Sequence, residues 1–294
     1  MGMFWQKPNA SNYRYINEPK NNTPMKNRRD FLKTLGLSGA VFITGEAFSS
    51  DAFLSSRNKV ILRFIVASDA HYGQPKTEFD AMTERFVDLA NAMNKTQKVH
   101  FCVLNGDLIH DVPDLMPKVK VKFDKLDIPY YVTKGNHDKI TDATWENIWK
   151  MPVNHFDEIK DNALLFGTTS NEKGEYLSPN LDWLKTQLDA AKKHKNTFLF
   201  IHIPQAKWTA NGIDTPEFFE LLKNYPNIKA VFHGHEHDKD GIKMHNGLPF
   251  IFDAHIGGNW GTAYRGFRVV EVMKDNSVLT YMMNPTERIL EAKL

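Results

Sequence analysis

From residue 59 onward, short apolar runs of the kind that fill strands alternate with longer stretches whose apolar residues recur at helical spacing. Strands are predicted over 60–67, 99–104 and 129–133, with helices over 77–94 and 113–126 between them. Such alternation predicts βαβ units and a largely parallel sheet. Further strands are predicted over 163–166, 197–203, 228–233, 249–253, 267–273 and 278–283. The last three follow one another without long helices, which predicts antiparallel pairing in a second sheet with a turn at Lys274, Asp275 and Asn276. Helix starts are read at Thr77, with Asp80 three residues on as a capping box, at Ser178 before Pro179, and at Thr215 before Pro216. No repeat or linker interrupts residues 59–294, which read as one α/β domain behind an N-terminal extension of residues 1–52.

Composition is that of a folded chain: 294 residues, 41% hydrophobic, 24% charged and 12% aromatic. The formal charge is +2, but seven of the 37 basic and three of the 35 acidic residues lie in the first 50, so the remainder carries −2. That balance excludes a general nucleic-acid surface, which would cluster Lys and Arg. Cys102 is the only cysteine, which excludes an internal disulfide and a thiolate zinc cluster. Any metal must be held by His, Asn and carboxylates.

The stretch Asn27, Arg28, Arg29, Asp30, Phe31, Leu32, Lys33 resembles the twin-arginine translocation motif. The apolar run behind it, 34–44, is too short to span a bilayer and reads as a signal h-region, with small residues Ala47 and Ser49 as cleavage positions. An ordinary N-terminal helix is the other reading. The first implies the translocation machinery as a partner, export to the periplasm and no membrane span in the mature domain. Residues 1–24 are polar and lack periodicity, and Met25 makes a more usual start for such a signal.

Five short motifs follow the ends of apolar runs: Asp69-Ala70-His71, Gly106-Asp107, Gly135-Asn136-His137-Asp138, His202, and Gly234-His235-Glu236-His237. If the chain stays extended, Asp69 and His71 point the same way, as two ligands of one ion must. A carboxylate at a strand end, such as Asp107, can bridge two cations. Open α/β sheets place ligands at the carboxyl ends of their strands, where all five motifs fall.

Taken in order, these residues resemble the calcineurin-like metallophosphoesterase superfamily, whose signature of DxH, GD, GNH plus D or E, a later H, and GHxH is filled throughout. The resemblance implies a four-layer α/β/β/α sandwich of two mixed sheets flanked by helices. It implies one ion among Asp69, His71, Asp107 and His237, and a second among Asp107, Asn136, His202 and His235, with Asp107 as the bridge. The ions would be manganese, iron or zinc, divalent or trivalent, activating a bridging water for in-line attack on a small phosphoester. His137 would face the leaving oxygen as proton donor, with Asp138 orienting it.

Purple acid phosphatases share much of this pattern but carry tyrosine where this chain has His110. The nearer resemblance is to class III cyclic nucleotide phosphodiesterases, through short loops, Asp182-Trp183-Leu184 and the run 266–272. A phosphodiester is therefore the favoured substrate, with a phosphomonoesterase or a silent scaffold as alternatives. His110 and Asp111 are placed to hydrogen-bond behind the ligands. His255 lies in a glycine-rich stretch that reads equally as a turn or as a segment reaching the substrate, while His100, His155, His194, His233 and His245 read as structural.

Overall fold

The computed structural model describes residues 59–284 and 287–294. The twin-arginine stretch, the h-region, the cleavage positions and the expectation about Met25 therefore lie outside the described residues. Among those described, no helix is long and apolar enough to cross a membrane.

One six-stranded sheet contains β1 (Val60–Ala67), β2 (Phe101–Asn105), β3 (Tyr130–Thr133), β10 (Phe267–Met273), β11 (Val278–Asn284) and β12 (Glu287–Lys293), in the order β12-β11-β10-β1-β2-β3. The other holds β4 (His155–Ile159), β5 (Asn162–Gly167), β6 (Asn196–Ile201), β7 (Ile228–His233), β8 (Ile242–His245) and β9 (Leu248–Phe252), ordered β4-β5-β6-β7-β9-β8. Both sheets are mixed: β1, β2 and β3 run parallel while β10 meets β1 antiparallel, and β5, β6, β7 and β9 run parallel between antiparallel β4 and β8.

The period-two alternation of side chains explains how the layers assemble. Leu62, Phe64 and Val66 of β1 meet Phe198 and Phe200 of β6 and Phe232 of β7 in a core between the sheets. The intervening Ile65 and Ala67 face outward and pack with α1 (Phe79–Thr96), α2 (Met116–Phe123) and α3 (Asp142–Trp149). Leu199 and Ile201 face the other way and pack under α4 (Leu181–Ala191) and α5 (Pro216–Leu222). Buried strands on both faces read as continuous apolar runs, which is why the sequence shows them so plainly. The result is the four-layer sandwich that the motif order implied.

Several local expectations are corrected. The β10–β11 hairpin forms, but it joins the first sheet beside β1, whereas β9 lies parallel to β7 in the second. Each of these strands is largely apolar and buried on both faces, so periodicity could not say which sheet receives it. No capping box forms at Thr77: its hydroxyl donates to the Gln74 carbonyl, Asp80 pairs with Tyr72 and Lys122, and the helix starts at Phe79. At α4 the cap is Asn180 rather than Ser178, accepting from the Trp183 amide. Thr215 does precede the proline at the start of α5, but its hydroxyl goes to Gln205. Residues 113–115 form a 3-10 turn before α2, because Pro117 restarts the helix at its first turn.

Candidate active site

The chain leaves β1, β2, β3, β6 and β7 at their carboxyl ends, and the loops there carry all of the predicted ligands. The first motif is not extended, as the sequence reading assumed. Asp69 (φ 58°), His71 (42°), Asp107 (52°) and His235 (68°) all adopt left-handed backbone conformations. Non-glycine residues there cost of order 1 kcal/mol or more each and persist only where neighbours hold them. Here the two loops hold each other: the Asp69 amide donates to the Gly106 carbonyl and the His71 amide to that of Asp107, each at 3.0 Å. Gly135 is required by proximity, since a Cβ there would stand 2.2 Å from Asp107 Oδ1.

Besides His71 with His110 and His137, two groups of donor atoms consist wholly of predicted ligands, Asp69 with His71 and His237, and Asp107 with His202 and His235. His71 Nε2 lies 2.9 Å from His237 Nε2, and His237 Nε2 lies 3.2 Å from Asp69 Oδ1. Asp107 Oδ2 lies 3.2 Å from His202 Nε2 in its own group and 3.5 Å from His71 Nε2 in the other. Its position between the groups is the one a bridging carboxylate needs. Asp107 Oδ1 is turned away, accepting the His137 amide at 2.8 Å.

Three of the imidazoles are held from behind. Nδ1 of His202 donates to the Asn105 carbonyl at 2.7 Å, Nδ1 of His237 to that of Trp260 at 3.3 Å, and Nδ1 of His71 lies 2.9 Å from Nδ1 of His110. Each Nε2 is thereby aimed at the shared centre, the arrangement in which outer hydrogen bonds orient metal-binding histidines. Buried Asn136 Oδ1 and His235 Nε2 have no hydrogen-bond partner among the described residues. Orphaned atoms of this kind are expensive unless something accepts them, and both belong to the predicted ligand set.

The charges agree. Burial alone would raise Asp69 and Asp107, yet His237 and His202 hold Asp69, and His202 and His71 hold Asp107, well below the usual carboxylate range. Burial opposes charge on His202, but Asp107 and Asp69 outweigh it and lift this histidine to about 10, so the proton on its Nε2 supplies the charge that a bound cation would displace. Burial lowers His71 and His235 to about 4 each, which leaves each ring neutral at neutral pH, with one nitrogen lone pair free. Two buried carboxylates thus demand nearby positive charge while neutral imidazoles offer lone pairs, so the donor set fits a pair of cations.

His137 lies at the rim, 27% exposed, and its partner corrects the sequence reading. Nδ1 of His137 meets Asp111 Oδ1 at 2.9 Å, and Lys139 Nζ meets the same oxygen at 2.8 Å. Asp138 instead points into the protein, accepting the Ile109 amide at 3.0 Å and the Gly135 amide at 2.9 Å. Burial, with the Asp107 charge beside it, pushes Asp138 up to about 7. Sequence adjacency suggested Asp138, but consecutive residues of a tight loop face different ways. His110 does hydrogen-bond behind His71, as placed, and its ring stacks on His137 at 4.9 Å. His255 proves buried and stacks on His237 at 4.8 Å, so it backs a ligand rather than reaching outward. The remaining histidines are structural: Nδ1 of His100 accepts the Arg63 amide, His155 bonds the Pro152 carbonyl, His194 pairs with Glu158, and His233 and His245 pack on Phe250.

Residues 62–239 match the model of the family described as calcineurin-like phosphoesterase. A probable cyclic nucleotide phosphodiesterase from Psychrobacter arcticus is 23% identical over 181 residues, 54% of this chain and 64% of the relative, so just under two thirds of that protein is spanned. A 3′,5′-cyclic-nucleotide phosphodiesterase from Nostoc is 22% identical over 227 residues, covering 67% of this chain and 82% of its own. The crystal structure of a dimetal phosphatase from Danio rerio superposes with a TM-score of 0.62 over 80% of this chain and 98% of the other. At 13% identity that likeness shows a shared fold.

Proposed function

The chain belongs to the calcineurin-like phosphoesterase family, and we propose that it is a dimetal hydrolase of phosphate esters with a preference for phosphodiesters. The observation that carries this reading is the convergence of donors from the ends of β1, β2, β6 and β7 on two adjoining groups, with Asp107 Oδ2 of one group 3.5 Å from His71 Nε2 of the other. In it, Asp69, His71, Asp107 and His237 hold one cation, and Asp107, Asn136, His202 and His235 the other. Nitrogen and oxygen donors without thiolate suit manganese, iron or zinc. When bound, two such cations supply the charge that makes water acidic enough to act as a nucleophile near neutral pH and that neutralises phosphoryl oxygens.

The chain's own residues do the rest. His110, Asn105 and the Trp260 carbonyl fix the orientation of the ligand imidazoles, so little reorganisation accompanies reaction. His137, tied through Nδ1 to Asp111, keeps Nε2 for the oxygen that leaves and hands it a proton. Asp111 stabilises the charged imidazole, and Lys139 pairs with the same carboxylate. A monoester dianion calls for additional cationic donors around its free oxygens, whereas this lysine is already paired. Both relatives are named as cyclic nucleotide phosphodiesterases, one of them as a probable one, which supports the same preference. The pattern of residues 27–33 supports export as a folded protein to the periplasm.

Metal-loaded protein offered bis(4-nitrophenyl) phosphate and 4-nitrophenyl phosphate in parallel tests the preference. The expected result is a higher kcat/KM for the diester. Faster turnover of the monoester overturns the preference, and hydrolysis of neither overturns the enzymatic reading in favour of a scaffold.

A further inference from the structure

Eight large apolar side chains stand out as exposed among the described residues, and four of them, Val112, Tyr176, Leu177 and Trp260, lie in the loops around the metal-site residues. Exposed apolar surface set against such polar residues points to a ligand with an apolar part. Two of the four are aromatic and rest directly on predicted ligands. Trp260, 42% exposed, lies parallel to His237 with ring centres 4.2 Å apart, and Tyr176, 40% exposed, meets His235 edge-on at 4.9 Å.

Trp260 is also held in place. The Thr262 amide donates to the His237 carbonyl, the Gly257 amide to that of Asp69, and Gln74 Nε2 to Asn259 Oδ1. Gly261 (φ 110°) lets this loop lie directly on the ligand, since a Cβ there would come 2.4 Å from His237 Cβ. A large indole left in solvent on a pinned loop is poorly explained as core packing. As a preorganised flat wall it makes sense, because little ordering is needed when a second ring lies on it. Its position also puts it on the His137 side of the site: the His71 ring lies 4.8 Å from both Trp260 and His137, and the His110 ring lies 4.9 Å from His137 and 6.2 Å from Trp260.

We propose that Trp260 is a specificity-determining residue, the stacking wall for a planar aromatic ring carried by the ester group that faces His137. The substrate class is then a phosphoester of a nucleoside or of an aryl alcohol. This rests on the phosphoesterase reading above, so its test measures binding and needs no turnover.

Calorimetric titration of the metal-loaded, full-length protein with AMP, phenyl phosphate and ribose 5-phosphate compares ligands with and without a ring. Trp260→Leu keeps apolar cover over His237 but removes the flat face, and Trp260→Phe restores a ring. Wild type is expected to bind a ring-bearing ligand about tenfold more tightly than ribose 5-phosphate. Trp260→Leu should erase that ratio and Trp260→Phe recover most of it, with metal content unchanged in both. Dependence on Trp260 for AMP alone identifies the ring as a nucleobase; dependence for AMP and phenyl phosphate alike identifies aryl recognition in general. The proposal is overturned if wild type shows no preference for a ring, or if Trp260→Leu weakens all three ligands by one factor. Binding that follows the expected pattern without any hydrolysis would leave the subsite standing and remove only the enzymatic reading.

Discussion

Asp111 and Asp138 flank His137 in space and in sequence respectively, and replacing each by asparagine separates their roles. In Asp111→Asn the left-handed backbone (φ 64°) is one that asparagine tolerates, so the change removes charge and little else. A charge-assisted hydrogen bond contributes about 1.5–3 kcal/mol when shielded from water. Asp111 is 38% exposed and shared with Lys139, so screening reduces the loss to about 1 kcal/mol. If that interaction stabilises the His137 imidazolium as the leaving oxygen departs, kcat falls about fivefold. Metal content and unfolding midpoint should stay at wild-type values. In Asp138→Asn, one of two buried backbone N–H donors would face an NH2 group instead of an oxygen. A buried unsatisfied donor costs about 1–3 kcal/mol, and the loop that carries Asn136 would lose its anchor. This variant should unfold at lower denaturant and bind metal more weakly. Steady-state kinetics, elemental analysis and urea unfolding on both proteins read all three quantities. A selective kcat loss in Asp138→Asn with normal unfolding, alongside a silent Asp111→Asn, would refute the assignment.

Two predictions concern the scaffold. Phe64 stacks on Phe101 at 4.6 Å and meets Phe198, Phe200 and Phe232 edge-on in the core between the sheets, so Phe64→Ala should cost about 3–5 kcal/mol; a loss under about 1 kcal/mol by urea unfolding would show that the sheets do not depend on this core. Burial lowers His155 to about 4 from 6.5, so the unfolded chain takes up its proton first as pH falls. The contribution of His155 is complete above pH 6.5 and is lost between 6.5 and 4, by up to about 3 kcal/mol. His155→Phe, which keeps the stack on Phe166, should make the stability profile less steep across that window, where His71, His233 and His235 also contribute, and an unchanged slope would contradict the burial of this ring.

The sequence made the strands legible because those in the interior are apolar on both faces, and the motifs legible because each sits where such a run stops. What it could not show depends on where loops turn. Asp69 and His71 converge through left-handed conformations rather than through an extended strand, and no periodicity encodes that. Asp138 follows His137 in sequence, yet the loop sends it inward to two amides while Asp111, from the preceding motif, supplies the partner. Thr77 and Ser178 have the composition of helix caps, but Gln74 and Pro179 carbonyls claim their hydroxyls. Tyr176 carried no signal at all, because an aromatic residue in a loop becomes meaningful only when His235 is seen beside it. The second sheet's edge strands, β4 and β8, are short and mostly polar or half-exposed, so neither alternation nor an apolar run marked them.

The central claim is a pair of cations sharing Asp107, and elemental analysis of purified, metal-saturated wild type beside Asp107→Asn measures it. About two ions per chain are expected in wild type, with the variant losing at least one and with it phosphoester hydrolysis. Full occupancy retained in Asp107→Asn, or hydrolysis by wild type holding no metal, would contradict it.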